Sequence, residues 1–279
     1  MIINSPRQLK DWINNFSKKN NIQANTLLQN YMMERFLERI SASKYRENFI
    51  LKGGFLISAL VGLDMRSTMD MDTTVKGLTV TQDSLEDILN EIILIDLNDN
   101  VMFHLASFKP IHDAGDYDDF RVSIIAQFFT IKVTLKLDIT TGDVIIPSDM
   151  DYSFKMMFEE RSISIRAYNL YTILAEKIES ILARNVTNTR ARDFYDVYIL
   201  TALRKDEIEI STLLDAIQRK AVERDTSMYF ENHEKYLKDI EESDYLQEIW
   251  VAYSSKYPYA NGISFKDIMS VLRGLFLAS

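Results

Sequence analysis

Residues 49–73 read FILKGGFLISALVGLDMRSTMDMDT, and the fold of the chain turns on how this stretch is parsed. An apolar strand over residues 49–51 runs into Gly53 and Gly54, which turn it into an apolar helix over about 55–61. A basic loop carrying Arg66 follows, and then Asp70 and Asp72 on a second short strand. Two apart on an extended strand, these carboxylates point to one face while Met69 and Met71 point to the other. Their mutual repulsion is about 1 kcal/mol at contact in water and grows with burial. A divalent cation removes that cost, and hard oxygen donors suit Mg2+. Glycines at the head of a helix let backbone N–H groups approach a phosphate, at the end where the helix carries partial positive charge. Strand, Gly-Gly, helix and Asp-x-Asp together point to metal-dependent nucleotidyl transfer.

The rest of the chain has room to serve such a site. Its 279 residues suit one large domain or two small ones, with 47% hydrophobic and 26% charged residues as in ordinary globular proteins. Cysteine is absent, which excludes disulfides and thiolate metal sites. No apolar signal core opens the chain and no run approaches a membrane span, so a cytoplasmic location is expected. The net charge of −9 argues against broad, unspecific nucleic-acid binding but leaves space for a local basic groove or a basic protein partner.

Upstream, residues 1–48 read as helical, with Leu27, Leu28, Tyr31, Met32, Arg35, Phe36 and Ile40 near helical spacing and Asn25-Thr26 as a candidate cap. Downstream, a helix is expected over about 84–94 and strands over 101–107 and 121–129, joined by the acidic turn HDAGDYDD around Gly115, which reads as a solvated loop. Residues 130–140, TIKVTLKLDIT, alternate cleanly: Ile131, Val133, Leu135, Leu137 and Ile139 share one face, and Lys136 and Asp138 are neighbours on the other. If this strand pairs with the Asp-x-Asp strand, Asp138 becomes the third carboxylate of a two-metal site; otherwise it is a half-exposed strand with a surface Lys and Asp. Pro147 closes the strand region, and from about Ile165 the pattern is helical. The expected division is a strand-rich core with N-terminal helices over 1–160 and a helical region over 161–279, an α+β chain with a mixed sheet.

Two charges sit where apolar residues belong. In the helix over 170–183, Lys177 lies within the face formed by Ile173, Leu174, Ile178 and Ile181. It either snorkels to the edge or aims its ammonium at a phosphate. In RARDFYDVYILTAL, Asp193 lies between Val197 and Leu200 on the inner face, with Asp196 nearer the edge. Asp193 either pairs with Lys177, caps backbone amides, or takes a proton from an acceptor hydroxyl. His104, His112 and His233 lack ligand spacing, Trp250 and its neighbouring tyrosines read as core, and Arg204, Arg219, Lys220 and Arg224 read as a solvated helix face. No Walker or kinase motif set is present.

These residues resemble the AbiEii/AbiGii family of toxin nucleotidyltransferases, within the DNA polymerase β-like superfamily. The likeness runs through FILKGG, RSTMDMD, KLDITTGD, LAEKIESIL and RARDFYDVYIL, nearly the whole chain. The resemblance implies a nucleotidyltransferase fold with the helical region closing an active-site cleft. It implies magnesium on Asp70, Asp72 and Asp138, and nucleotide contacts from Gly53, Gly54, Arg66, Lys136 and Lys177. Asp193 is then a fourth-motif catalytic aspartate. An NTP is the implied donor (GTP or pyrimidine nucleotides in different members), a tRNA end a frequent acceptor, and an antitoxin with a winged-helix DNA-binding domain the usual partner in toxin–antitoxin and phage-abortive systems. The chain departs from the superfamily at Gly54, where a serine is common, and at Arg192, where lysine is common; Ser58 is poorly placed to replace the serine. Alternatives are a small-molecule nucleotidyltransferase like the aminoglycoside-modifying enzymes, or a non-catalytic NTP-binding module.

Overall fold

The computed structural model describes residues 3–111 and 119–277, so the acidic turn read around Gly115 lies outside the described residues. The chain forms two compact units, one from Met1–Asp143 and Asp149–Tyr168, the other from Val144–Ser148 and Asn169–Ser279.

In the first unit, α1 (Pro6–Asn20) and α2 (Ala24–Ala42) precede β1 (Phe49–Lys52), α3 (Gly53–Val61), β2 (Asp70–Val75) and α4 (Gln82–Ile93). The strands β3 (Val101–Ile111), β4 (Asp119–Phe128), β5 (Ile131–Thr141), β6 (Met150–Lys155) and β7 (Ser162–Ala167) follow. Among the described residues, seven strands form one mixed sheet in the order β3-β4-β5-β2-β1-β7-β6. β5 runs parallel to β2 and β7 parallel to β1; the other neighbours are antiparallel. β4 and β5 are joined across Phe129-Thr130, a two-residue turn in which Phe129 takes the left-handed conformation at φ 51.

Alternation along β5 survives intact: Leu135, Leu137 and Ile139 are buried while Lys136 is exposed. Phe36 of α2 meets Phe103 of β3 edge-on at 5.6 Å, which places α2 over the apolar face, since Phe103 lies in the row of Val133. The opposite face is left for the carboxylates.

α2 buries the expected stripe and more besides. It begins at Ala24, with Gln23 as an N-cap lacking a side-chain bond, so Thr26 lies buried inside the helix. Burial extends around the helix to Gln29, Asn30, Glu34, Arg35 and Arg39. Buried polar groups need partners, and here the partners tie the sheet together. Arg39 forks onto Asp99 at 2.9 and 2.8 Å. Gln29 donates to the carbonyls of Met69 (3.2 Å) and Thr134 (2.9 Å), and Asn30 donates to that of Thr68 (2.8 Å). The loop leading into Asp70 is therefore clamped from beneath by α2.

The strands β6 and β7 correct the expectation of helix from about Ile165. Ile163, Ile165 and Ala167 alternate inward with Ser162, Ser164 and Arg166, and a strand of six residues offers too short a pattern to stand out before a strong helix.

The second unit contains α5 (Leu170–Arg184), α6 (Ala191–Arg204), α7 (Ile210–Glu223), α8 (Ser227–Glu231), α9 (His233–Glu241), α10 (Asp244–Lys256) and α11 (Phe265–Leu277). Asn169 caps α5 through the Thr172 N–H. The segment Val144–Ser148 joins this unit: the Ile146 N–H donates to Thr172 Oγ1 at 3.0 Å, and that hydroxyl donates to the Ile146 carbonyl at 3.0 Å. Trp250 is buried and donates to the Ile263 carbonyl, a core role as expected. Lys220 departs from the expected solvated face, whereas Arg224 stays exposed and ion-paired. Lys220 is buried with its ammonium 2.7 Å from Glu223, and Arg224 donates to Glu179 at 2.6 Å. Among the described residues, no helix is long and apolar enough to cross a membrane.

Candidate active site

The two strands that carry the acidic motif residues pair directly. In the parallel register of β2 and β5, Asp70 stands opposite Lys136 and Asp72 opposite Asp138. Cross-strand partners share a face, so three carboxylates and one ammonium lie in neighbouring positions on one face of the sheet. Asp70 and Lys136 are exposed, and Asp72 and Asp138 are half-buried.

Gly53 completes the patch at the strand-to-helix turn. Its φ is +66, a conformation that favours glycine, and an added Cβ would lie 2.0 Å from Asp72 Oδ2. Backbone and carboxylate thus approach as closely as the residue types allow. At Gly54 an added Cβ would lie 2.9 Å from Thr68 Oγ1 and 3.1 Å from Arg66 Nη2. Arg66 is itself buried and donates to the Ser67 carbonyl at 2.7 Å. It stands behind the glycine turn, within the fold. Ser58 is also buried and donates to the Gly54 carbonyl at 2.9 Å, so its hydroxyl serves the helix backbone.

Two basic residues on the same face escaped the sequence reading. Lys52, the register partner of Asp72, donates to Thr140 Oγ1 at 2.6 Å and Asp143 Oδ2 at 2.5 Å. Tyr168 donates to the same Asp143 oxygen at 2.8 Å. A lysine ending an apolar strand directly before Gly-Gly was the available signal. Arg121 of β4 is the register partner of Asp138 and donates from Nε and Nη2 to its two oxygens at 2.8 and 2.7 Å. The Asp138 hydrogen bond, with lesser contributions from Asp70 and Asp72, raises the guanidinium pKa further above its usual value. Counting back seven residues on each side of the Phe129-Thr130 turn, from Phe128 (128 − 7) and Ile131 (131 + 7), would have found this pair.

In the second unit, Lys177 of α5 donates to Asp193 Oδ1 of α6 at 2.5 Å, and its ammonium lies 3.2 Å from Asp196 Oδ2. The Lys177–Asp193 pairing is therefore formed. Asp196, read as nearer the edge, is fully buried (0%). The difference is physical: a second carboxylate one helical turn on shares the same ammonium. Arg192 lies over the Tyr257 ring with Cζ 5.9 Å from its centre.

The donor chemistry fits a divalent cation, with three carboxylates in adjacent register positions against a glycine cradle. Among the described residues no three such groups already converge as a metal cluster, and Asp138 commits both oxygens to Arg121.

The family model for the nucleotidyl transferase AbiEii toxin, Type IV toxin–antitoxin system, matches residues 35–271. The chain belongs to the AbiEii family. It is thereby a member of a nucleotidyltransferase toxin family, for which a cognate antitoxin is implied. Among solved structures it is similar to JHP933 from Helicobacter pylori, at 16% identity and TM-score 0.50 over 91% of this chain and 92% of that one. It is similar also to a second H. pylori chain described as a nucleotidyltransferase, at 16% identity and TM-score 0.50 over 91% and 95%. These likenesses concern the fold, a mixed sheet with flanking helices. A search of curated proteins finds no match.

Proposed function

We propose that this AbiEii-family chain is a magnesium-dependent toxin that transfers a nucleoside monophosphate from an NTP to an acceptor hydroxyl, with a tRNA 3′ end as the acceptor. The observation that carries this reading is the β2–β5 register, which aligns Asp72 with Asp138 and Asp70 with Lys136 beside the Gly53 turn.

Asp70, Asp72 and Asp138 would hold the metal. Two bound Mg2+ ions would neutralise the triphosphate and polarise the α-phosphate. The chain's own groups do the positioning, which with charge neutralisation is most of what phosphoryl-type transfer requires. The Gly53-Gly54 backbone approaches the phosphates at the head of α3. Lys136, exposed next to Asp70, contacts the triphosphate. Asp193, held in place by Lys177, accepts the proton of the acceptor hydroxyl. The acceptor oxygen bonds to the α-phosphorus as the bond to the β-phosphate oxygen breaks, and pyrophosphate leaves. The partner in this reading is an antitoxin with a winged-helix DNA-binding domain.

The test incubates purified protein and Mg2+ with each α-32P NTP in turn, with total RNA, total protein and an aminoglycoside as acceptors. The expected result is label in tRNA from one NTP, lost in Asp70→Ala. Label on the aminoglycoside with none on RNA would select the small-molecule reading. NTP binding and growth arrest without label, unchanged in Asp70→Ala, would overturn catalysis.

A further inference from the structure

Asp138 stands between two competing partners. On one side its register neighbour is Asp72, and on the other it is Arg121. Arg121 occupies both Asp138 oxygens in a fork, at 2.8 and 2.7 Å. Bidentate guanidinium–carboxylate pairs are directional and use the lone pairs that a metal would need. The arginine side chain is 56% exposed and the aspartate 25%, so the pair lies at the surface, where such bonds are cheap to exchange. Asp70 and Asp72 also act on the guanidinium through their charge. Arg121 therefore substitutes one positive charge among three carboxylates for the charge of a metal.

We infer that Arg121 is a positioning residue that holds Asp138 out of the metal site until a triphosphate draws its guanidinium away. This rests on the function proposed above. A triphosphate offers the planar fork several anionic oxygens, the ligand for which arginine competes best. As the guanidinium moves to phosphate, Asp138 is released toward Asp72. Metal and nucleotide then bind jointly, each favouring the other, as linkage requires. A chain with metal alone keeps Asp138 on Arg121, so the site is assembled only in the presence of the donor.

The test titrates Mn2+ into the full chain and reads free Mn2+ by electron paramagnetic resonance, with and without each nonhydrolysable α,β-methylene NTP. Wild type, Arg121→Gln, Asp138→Asn and the double variant are compared. Removing the competing bond and a nearby positive charge is expected to tighten Mn2+ binding without nucleotide on the order of tenfold in Arg121→Gln. The enhancement of Mn2+ affinity by nucleotide should shrink by a similar factor, and the gain should vanish in the double variant. Equal Mn2+ affinity in wild type and Arg121→Gln would overturn the inference while leaving the metal site standing. So would a gain that persists after Asp138→Asn, because the effect would then be charge alone. Absence of Mn2+ binding by any variant, with or without nucleotide, would overturn both the inference and the metal-dependent reading beneath it.

Discussion

Gly53 is where backbone and carboxylate share one volume. Gly53→Ala places a Cβ 2.0 Å from Asp72 Oδ2 at a φ of +66, so both the turn and the carboxylate must shift. The stability cost is expected to be about 1–3 kcal/mol in urea denaturation. Nucleotidyl transfer should fall at least on the order of 100-fold, since misplacement by an ångström has that effect. A variant that melts like wild type and transfers normally would show that the close approach has no functional weight. A different sensitivity resides at Glu34, which is buried in α2 and accepts from the Met157 N–H at 3.1 Å. Burial pushes its carboxyl up from 4.5 to about 8, against the opposing pull of the Met157 N–H and Arg35, with Glu159 and Glu38 adding to the rise. The folded state therefore keeps a proton that the unfolded chain releases from about pH 4.5. Stability should fall as pH climbs from about 4.5 to about 8, then level off. In Glu34→Gln that slope should flatten, with a gain on the order of 2 kcal/mol at pH 8 and little change at pH 4.5, by thermal melts across pH.

Elements were legible in proportion to the length of their pattern. β5, with eleven residues of clean alternation, could be assigned a face from the sequence, and with it Asp138. Its pairing with β2 could be posed but not decided, because register depends on long-range contacts that a single strand does not encode. β6 and β7 have six residues each and were overlooked. The stripe of α2 was legible but the breadth of its burial was not, because Gln29, Asn30 and Arg39 look like surface residues until their partners are known. The lysine and aspartate intruding on the inner faces of α5 and α6 were legible as anomalies, and the structure joins them. That pair carries a prediction. Lys177→Met leaves Asp193 (5% exposed) and Asp196 (0%) buried without the ammonium they share, and should destabilise the chain by about 3–5 kcal/mol. Chemical denaturation beside transfer assays would separate this loss from a catalytic one. An unchanged denaturation midpoint would mean that the ammonium contributes nothing to folding.

At the scale of the whole molecule, a ligand that binds only the native state stabilises it. If Asp70, Asp72 and Asp138 hold metal for an NTP, Mg2+ and the correct NTP at about 100 times the dissociation constant should stabilise the native state by about 2.7 kcal/mol. Differential scanning fluorimetry should show a rise in Tm of several degrees for wild type and little or none for Asp72→Asn. An equal shift in both would place the nucleotide away from the β2–β5 patch. The second unit is itself assembled from two stretches of chain, Val144–Ser148 and Asn169–Ser279. Thr172 binds both the N–H and the carbonyl of Ile146, so the short stretch is stitched to α5 while its flanks belong to β5 and β6. No single scission can therefore yield two intact fragments. A fragment ending at Tyr168 would carry Ile146 and its neighbours stripped of the Thr172 partner they hold in the whole chain. Dissecting this protein calls for a paired excision that bridges Asp143 to Asp149 directly, and a fragment screen that ignores the interleaving selects for aggregation.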